Sequence, residues 1–205
     1  MCYRLLTVLI LSAITMVATG CKSTTPPPQT GFLSTYDNLE TIEEHKMRFV
    51  SQDLADYDSF IVDHVQLRMQ SESDLSDEQR AEAARYFREQ FINVLTRNGY
   101  MVADSAAVGT ARVRLALTDI QDAEWWMNLH PGSKLTGAGT GGASMEGEVI
   151  DSVTGVQLAA VVKSGRGDQF ELDTFSELDD IKDVIDDWAE EAEERLRELR
   201  ESRGR

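Results

Sequence analysis

The chain has 205 residues and a formal net charge of −16, with 41% hydrophobic and 27% charged residues. Such an acidic excess opposes phosphate backbones and argues against nucleic acid as a partner, while the apolar share is ample for a packed core. Both cysteines, Cys2 and Cys21, sit near the N-terminus, which leaves no disulfide, thiolate nucleophile or cysteine metal site for a folded domain.

Residues 1–20 read as a signal peptide. Arg4 supplies the basic start, an apolar stretch runs from Leu5 to Val17, and the small residues Ala18, Thr19 and Gly20 lead into Cys21. The apolar stretch is too short to span a bilayer, which takes about 20 such residues. A cysteine directly after the small residues is the bacterial lipoprotein pattern, in which the thiol takes a lipid such as palmitate and the leader is cut away. Ordinary signal cleavage with plain secretion is the competing reading. Each buried methylene contributes about 0.8 kcal/mol, so two or more acyl chains on Cys21 make a stable membrane anchor. Lys22, rather than Asp, after the cysteine fits sorting to the periplasmic face of the outer membrane in a Gram-negative cell. Cleavage removes only Arg4 among the charges, leaving 19 basic against 36 acidic residues, a net charge of −17.

Residues 21–46 then form the lipidated cysteine, a spacer and an arm. The spacer KSTTPPPQT favours extended polyproline II, a semi-rigid tether. Gly31 to Glu44 has apolar anchors but no sustained period, and is expected to lie irregularly over the domain. The domain itself is assigned to residues 47–205.

Arg48 to Ser51 and Asp58 to Met69 are rich in Val, Ile and Phe and read as strands, with His64 an ordinary sheet residue. Ser76 and Gln79 make a capping box, after which Ala84, Phe87, Phe91 and Leu95 form one helical stripe ending at Asn98-Gly99. Tyr100 to Ala103 is a short strand. Thr110 to Gln121 alternates, with Ala111, Val113, Leu115 and Leu117 on one face and Arg112 and Arg114 on the other. Ala143 to Asp151 sets Met145 and Val149 against Glu146 and Glu148, turns at DSVTG, and returns as Val156 to Lys163. If the 110 and 143 strands pair, the arginines meet the glutamates on a solvent face.

A last helix runs from the N-cap Ser176 to about Arg200, burying Leu178, Ile181, Ile185, Trp188, Ala192 and Leu196. Glu191 with Arg195 and Glu193 with Arg197 have the favourable i, i+4 order. This order of elements predicts an α+β fold: an antiparallel sheet with two helices packed on one face, preceded by the signal peptide and the Pro-rich tether.

At GFLSTY (Gly31 to Tyr36), YDSFIVDHV (Tyr57 to Val65), EGEVIDSVTGVQLAA (Glu146 to Ala160) and DDWAEEAEERL (Asp186 to Leu196) the chain resembles domain of unknown function family 3313, a family of Gram-negative lipoproteins. The resemblance covers most of the chain after the leader. It implies an exported lipoprotein and carries over no catalytic residue.

Chemical motifs are few. GAGTGG at 137–142 matches G-x-G-x-x-G, but a loop precedes it and a strand follows, whereas a dinucleotide site needs a helix N-terminus there. No cofactor is therefore expected. His45, His64 and His130 lack metal-ligand spacing, and no serine lies in a G-x-S-x-G elbow, so neither a metal nor a catalytic residue is assigned. Trp125, Trp126 and Met127 adjoin the Gly-rich loop. Large aromatics and Met on a loop are typical anchors of a partner-binding surface, although the more ordinary reading is that they fold back over the open edge or face of the sheet. The composite expectation is a lipid-anchored periplasmic module that binds an envelope protein or the cell wall and is not an enzyme. The alternatives are an envelope enzyme such as a hydrolase, and a passive structural lipoprotein.

Overall fold

The computed structural model describes residues 29–43, 45–68, 75–121, 142–166 and 177–203. The alternating segments form one eight-stranded sheet. Its strands are β1 (Glu40–Glu43), β2 (Lys46–Val50), β3 (Ser59–Val62), β4 (Gln66–Leu67), β5 (Met101–Val102), β6 (Thr110–Gln121), β7 (Gly142–Asp151) and β8 (Gln157–Arg166). They lie in the order β1-β2-β8-β7-β6-β3-β5, with β4 also on β6. The fold is α+β, as expected.

The sheet is mostly antiparallel but mixed, since β3 pairs with β5 and β6 in parallel and β4 pairs with β6 in parallel. Helix α1 (Asp77–Arg97) explains this. A crossover helix returns the chain to the same end of the sheet, so the next strand runs parallel to the one before. Two smaller corrections concern the N-terminal half. The segment 58–69 is broken into β3 and β4, and the expected arm contains β1, whose four residues are all exposed and therefore show no apolar period.

Ser76 and Gln79 cap α1 reciprocally, as their spacing predicts. Its buried stripe is Ala83, Phe87, Val94 and Leu95, with Ala84 and Phe91 half-buried. The second helix, α2 (Glu177–Arg203), buries Leu178, Ile181, Val184, Ile185, Trp188 and Ala189. Both helices cover the same sheet face, against Val113, Leu115 and Leu117 of β6 and Met145 of β7. Phe87 meets Trp188 with ring centroids 5.6 Å apart, which locks α1 to α2 through aromatic contact.

The expected helical pairs of Glu191 with Arg195 and Glu193 with Arg197 give way to longer-range partners. Glu191 is bound by two sheet lysines, and Glu193 faces Arg97 of α1 at 3.0 Å. At the end of α2, Arg200 donates to the carbonyl of Gly99 and lies 4.9 Å over the Tyr100 ring.

The β7–β8 hairpin closes at Asp151 to Val156. The Asp151 carboxylate accepts from the Val153 and Thr154 amides, the Thr154 hydroxyl and the Tyr57 hydroxyl. Gly155 sits at φ +74°, in the left-handed region the turn requires.

Candidate functional site

The sheet face away from the helices was expected to be a solvent face, and it is not. Residues Gly31 to Tyr36 lie across it, burying Phe32 and Leu33 against Ala116, Ala160 and Val162. Beneath that arm Glu146 is 0% and Glu148 2% exposed. A buried carboxylate is tolerated only when its oxygens are satisfied, and the arm supplies the donors. Glu146 accepts from the Thr30 amide and the Tyr36 hydroxyl, both at 2.5 Å. Glu148 accepts from the Ser34 amide at 2.9 Å and the Ser34 hydroxyl at 2.7 Å, from Gln157, and from Arg114.

Strand register explains the difference between the two glutamates. Arg114 stands opposite Glu148, but Arg112 stands opposite Ile150, and Glu146 faces Ala116. Arg112 therefore pairs with Asp63 at 2.6 Å, and Glu146 depends on the arm. Arg114 completes the clasp by lying 5.0 Å over the Phe32 ring. Burial, followed by the hydrogen bond to Glu146, raises the Tyr36 pKa above its ordinary value.

On the opposite face a cavity of about 420 Å³ opens between the sheet and the second half of α2. Small residues create it: Gly147 and Ala159 on the strands and Ala192 on α2 leave space between Leu115, Met145 and Trp188. A Cβ on Gly147 would stand 3.0 Å from both Leu115 and Met145, so the bare position allows those side chains to lean over it.

The edge of this cavity is charged. Glu191 accepts from Lys46 and Lys163, each at 2.6 Å, and Lys163 lies 5.6 Å from the centroid of the Trp188 ring. Burial alone would push the Glu191 carboxyl up, but the two lysines outweigh it and hold it at about 2. Burial lowers the Lys163 pKa despite its partner. Arg48 and Arg195 also line the cavity. Arg48 Nη1 and Arg195 Nε are both shut off from water with no hydrogen-bond partner among the described residues, although Arg195 Nη1 reaches Glu198 at 2.7 Å.

The family model described as Protein of unknown function (DUF3313) matches residues 28–192. The chain belongs to this family. In this DUF3313 chain the match takes in the arm, the clasp glutamates, the hairpin and Glu191. No curated protein matches it. Among solved structures it is similar to the PelC dodecamer from Paraburkholderia phytofirmans, at 14% identity, 68% coverage of this chain, 92% of that chain and a TM-score of 0.44. A minor lipoprotein from Acinetobacter baumannii is 14% identical, with 72% and 93% coverage and a TM-score of 0.32. At such identities and scores, nothing of either protein's assembly or role carries over.

Cys21 and the residues Trp125, Trp126 and Met127 lie outside the described residues. Of the Gly-rich 137–142 segment only Gly142 lies within the described residues, where it begins strand β7 rather than the helix N-terminus that a pyrophosphate would need. Among the described residues no group of three or more His, Cys, Asp or Glu is arranged to hold a metal, and no helix is long and apolar enough to cross a membrane.

Sequence reasoning missed the charged cavity edge, yet a signal for it exists. Lys46 and Arg48 occupy alternate positions of β2, and Lys163 shares its register with Val161 and Ala159 on the helix-facing side. Three cations in an apolar register mark charges that must be paired or used.

Proposed function

We propose that this protein is a lipid-anchored envelope lipoprotein, held at the periplasmic face of the outer membrane by acyl chains on Cys21. Its domain acts as a non-enzymatic binding module for another envelope component. The observation that supports this best is the clasp of Gly31 to Tyr36 on Glu146 and Glu148. It follows directly on the Pro-rich spacer, so a pull on the anchor is delivered to the central strand of the sheet rather than to a frayed terminus. Such an attachment suits a domain that must stay oriented toward a partner while tethered to a surface. Trp125, Trp126 and Met127 form the proposed contact surface, since binding residues concentrate on loops carried by a rigid scaffold. The module is also proposed to act without nucleic acid, which its charge repels.

Crosslinking the protein in its own envelope, followed by affinity capture, tests this reading. A discrete envelope partner is expected. Recovery of no specific partner would make it a passive structural lipoprotein. Turnover of an envelope substrate that a single point variant abolishes would make it an enzyme.

A further inference from the structure

We propose that the cavity between α2 and the sheet binds a single-chain anionic amphiphile, its chain among Leu115, Met145 and Trp188 and its head on Arg48 and Arg195. The volume, about 420 Å³, falls within the roughly 300–1,000 Å³ of small-molecule sites, and the walls are mainly apolar in the same way. An apolar wall alone would not choose a ligand. The charges do.

Six charged residues line the cavity: Arg48, Lys163 and Arg195 against Glu148, Glu191 and Glu198, and the Glu148 carboxylate is spent on Ser34, Gln157 and Arg114 under the arm. The other two carboxylates are already engaged, Glu191 by two lysines and Glu198 by Arg195. Donors remain on Arg48 and Arg195 with no acceptor among the described residues. A guanidinium N–H buried without an acceptor is costly, whereas one that meets an anion gains a charge-assisted, often bidentate bond. Arg195 keeps its ion pair with Glu198, so what the site offers an anion is the unmatched N–H groups, Arg48 Nη1 and Arg195 Nε. A carboxylate or phosphate on an acyl chain satisfies both halves of the site at once. A neutral chain would leave the arginines as they are.

This deepens the binding-module reading and rests on it only in taking the domain to bind an envelope component. Residues 22–205 contain every described element and serve as the soluble sample. Isothermal titration with decanoate should show one saturable site. Decanol should bind roughly tenfold more weakly or worse, the worth of a charge-assisted contact. Arg48→Met should bring decanoate down to the affinity of decanol without lowering the melting temperature, since it keeps the apolar stem and removes an N–H that has no acceptor among the described residues. Ala192→Phe, which fills the cavity, should abolish binding of both while the protein still melts cooperatively.

Competition by lysophosphatidylglycerol as strong as that by decanoate would identify the source as a membrane lipid, and competition by decanoate alone as a free fatty acid. The proposal is overturned by an absence of saturable heat, by equal affinity for decanoate and decanol in the unaltered protein, or by undiminished binding in Ala192→Phe. An envelope partner captured by a protein that ignores decanoate would sink this inference and leave the module reading standing.

Discussion

Tyr36 donates its phenolic hydroxyl to the Glu146 carboxylate across 110 residues of sequence, joining the arm to β7, the central strand of the sheet. Glu146 is 0% exposed, so the lost donor would not be replaced freely by water. Tyr36→Phe should therefore destabilise the protein by about 1.5–3 kcal/mol, the worth of a hydrogen bond to a charged group. Thermal unfolding measures this directly. An unchanged melting temperature would mean that the arm is not clasped in solution.

The Glu191 cluster predicts how stability depends on acid. Its carboxyl is held at about 2, below the ordinary 4.5, chiefly by Lys163 and Lys46 acting against burial. A depressed carboxylate contributes stability above its unfolded pKa and loses that contribution as pH falls through its folded one. The loss should run from about pH 4.5 to about pH 2 and amount to roughly 2–3 kcal/mol. Asp151, also held at about 2, by the Thr154 amide first, adds to the same acid limb. Glu191→Gln should shrink the acid limb of denaturant-derived stability across this window, leaving the part that Asp151 contributes. A variant with the same acid limb as the parent protein would remove the cluster from the explanation.

Gly155 tests the hairpin. Its φ is +74° and a Cβ there would meet nothing within 4 Å, so any cost of substitution is conformational rather than steric crowding by neighbours. Gly155→Val should cost about 1–3 kcal/mol, the usual penalty for a bulky residue held in a sparsely populated region. Gly155→Asn, which tolerates that region better, should cost less. Equal melting temperatures for the two variants would contradict the turn geometry.

Most of the fold was legible because period and capping agree. The Ser76/Gln79 box, the alternation along β6 and the DSVTG turn each appear where the residues place them. Parallel pairing of β3 was not legible, because a two- to four-residue strand leaves no directional mark in sequence. The clasp was half legible. GFLSTY reads as an arm over the domain, but the alternation Met145/Glu146/Gly147/Glu148 shows only that the glutamates share a face. It does not show that Phe32 and Leu33 of the arm are buried on that face. The cavity was hidden for a similar reason, since it arises where Gly147, Ala159 and Ala192 meet from three separate segments.

The paired tryptophans provide a separate test of the proposed contact surface. A Trp125→Ala, Trp126→Ala double variant should lose its captured envelope partner while melting close to the unaltered protein. Truncation of core aromatics would instead cost roughly 3–5 kcal/mol or more. Severe destabilisation, or undiminished capture, would reject these residues as the contact surface.

The lipid anchor is the centre of the account, and intact mass spectrometry of the N-terminus of the mature protein tests it most directly. The account predicts a chain that begins at Cys21 and carries acyl chains, and a Cys21→Ala variant that accumulates as uncleaved or misplaced precursor. A mature protein that begins elsewhere without acyl mass, or a Cys21→Ala variant that is cleaved normally and retained at the membrane, would contradict it.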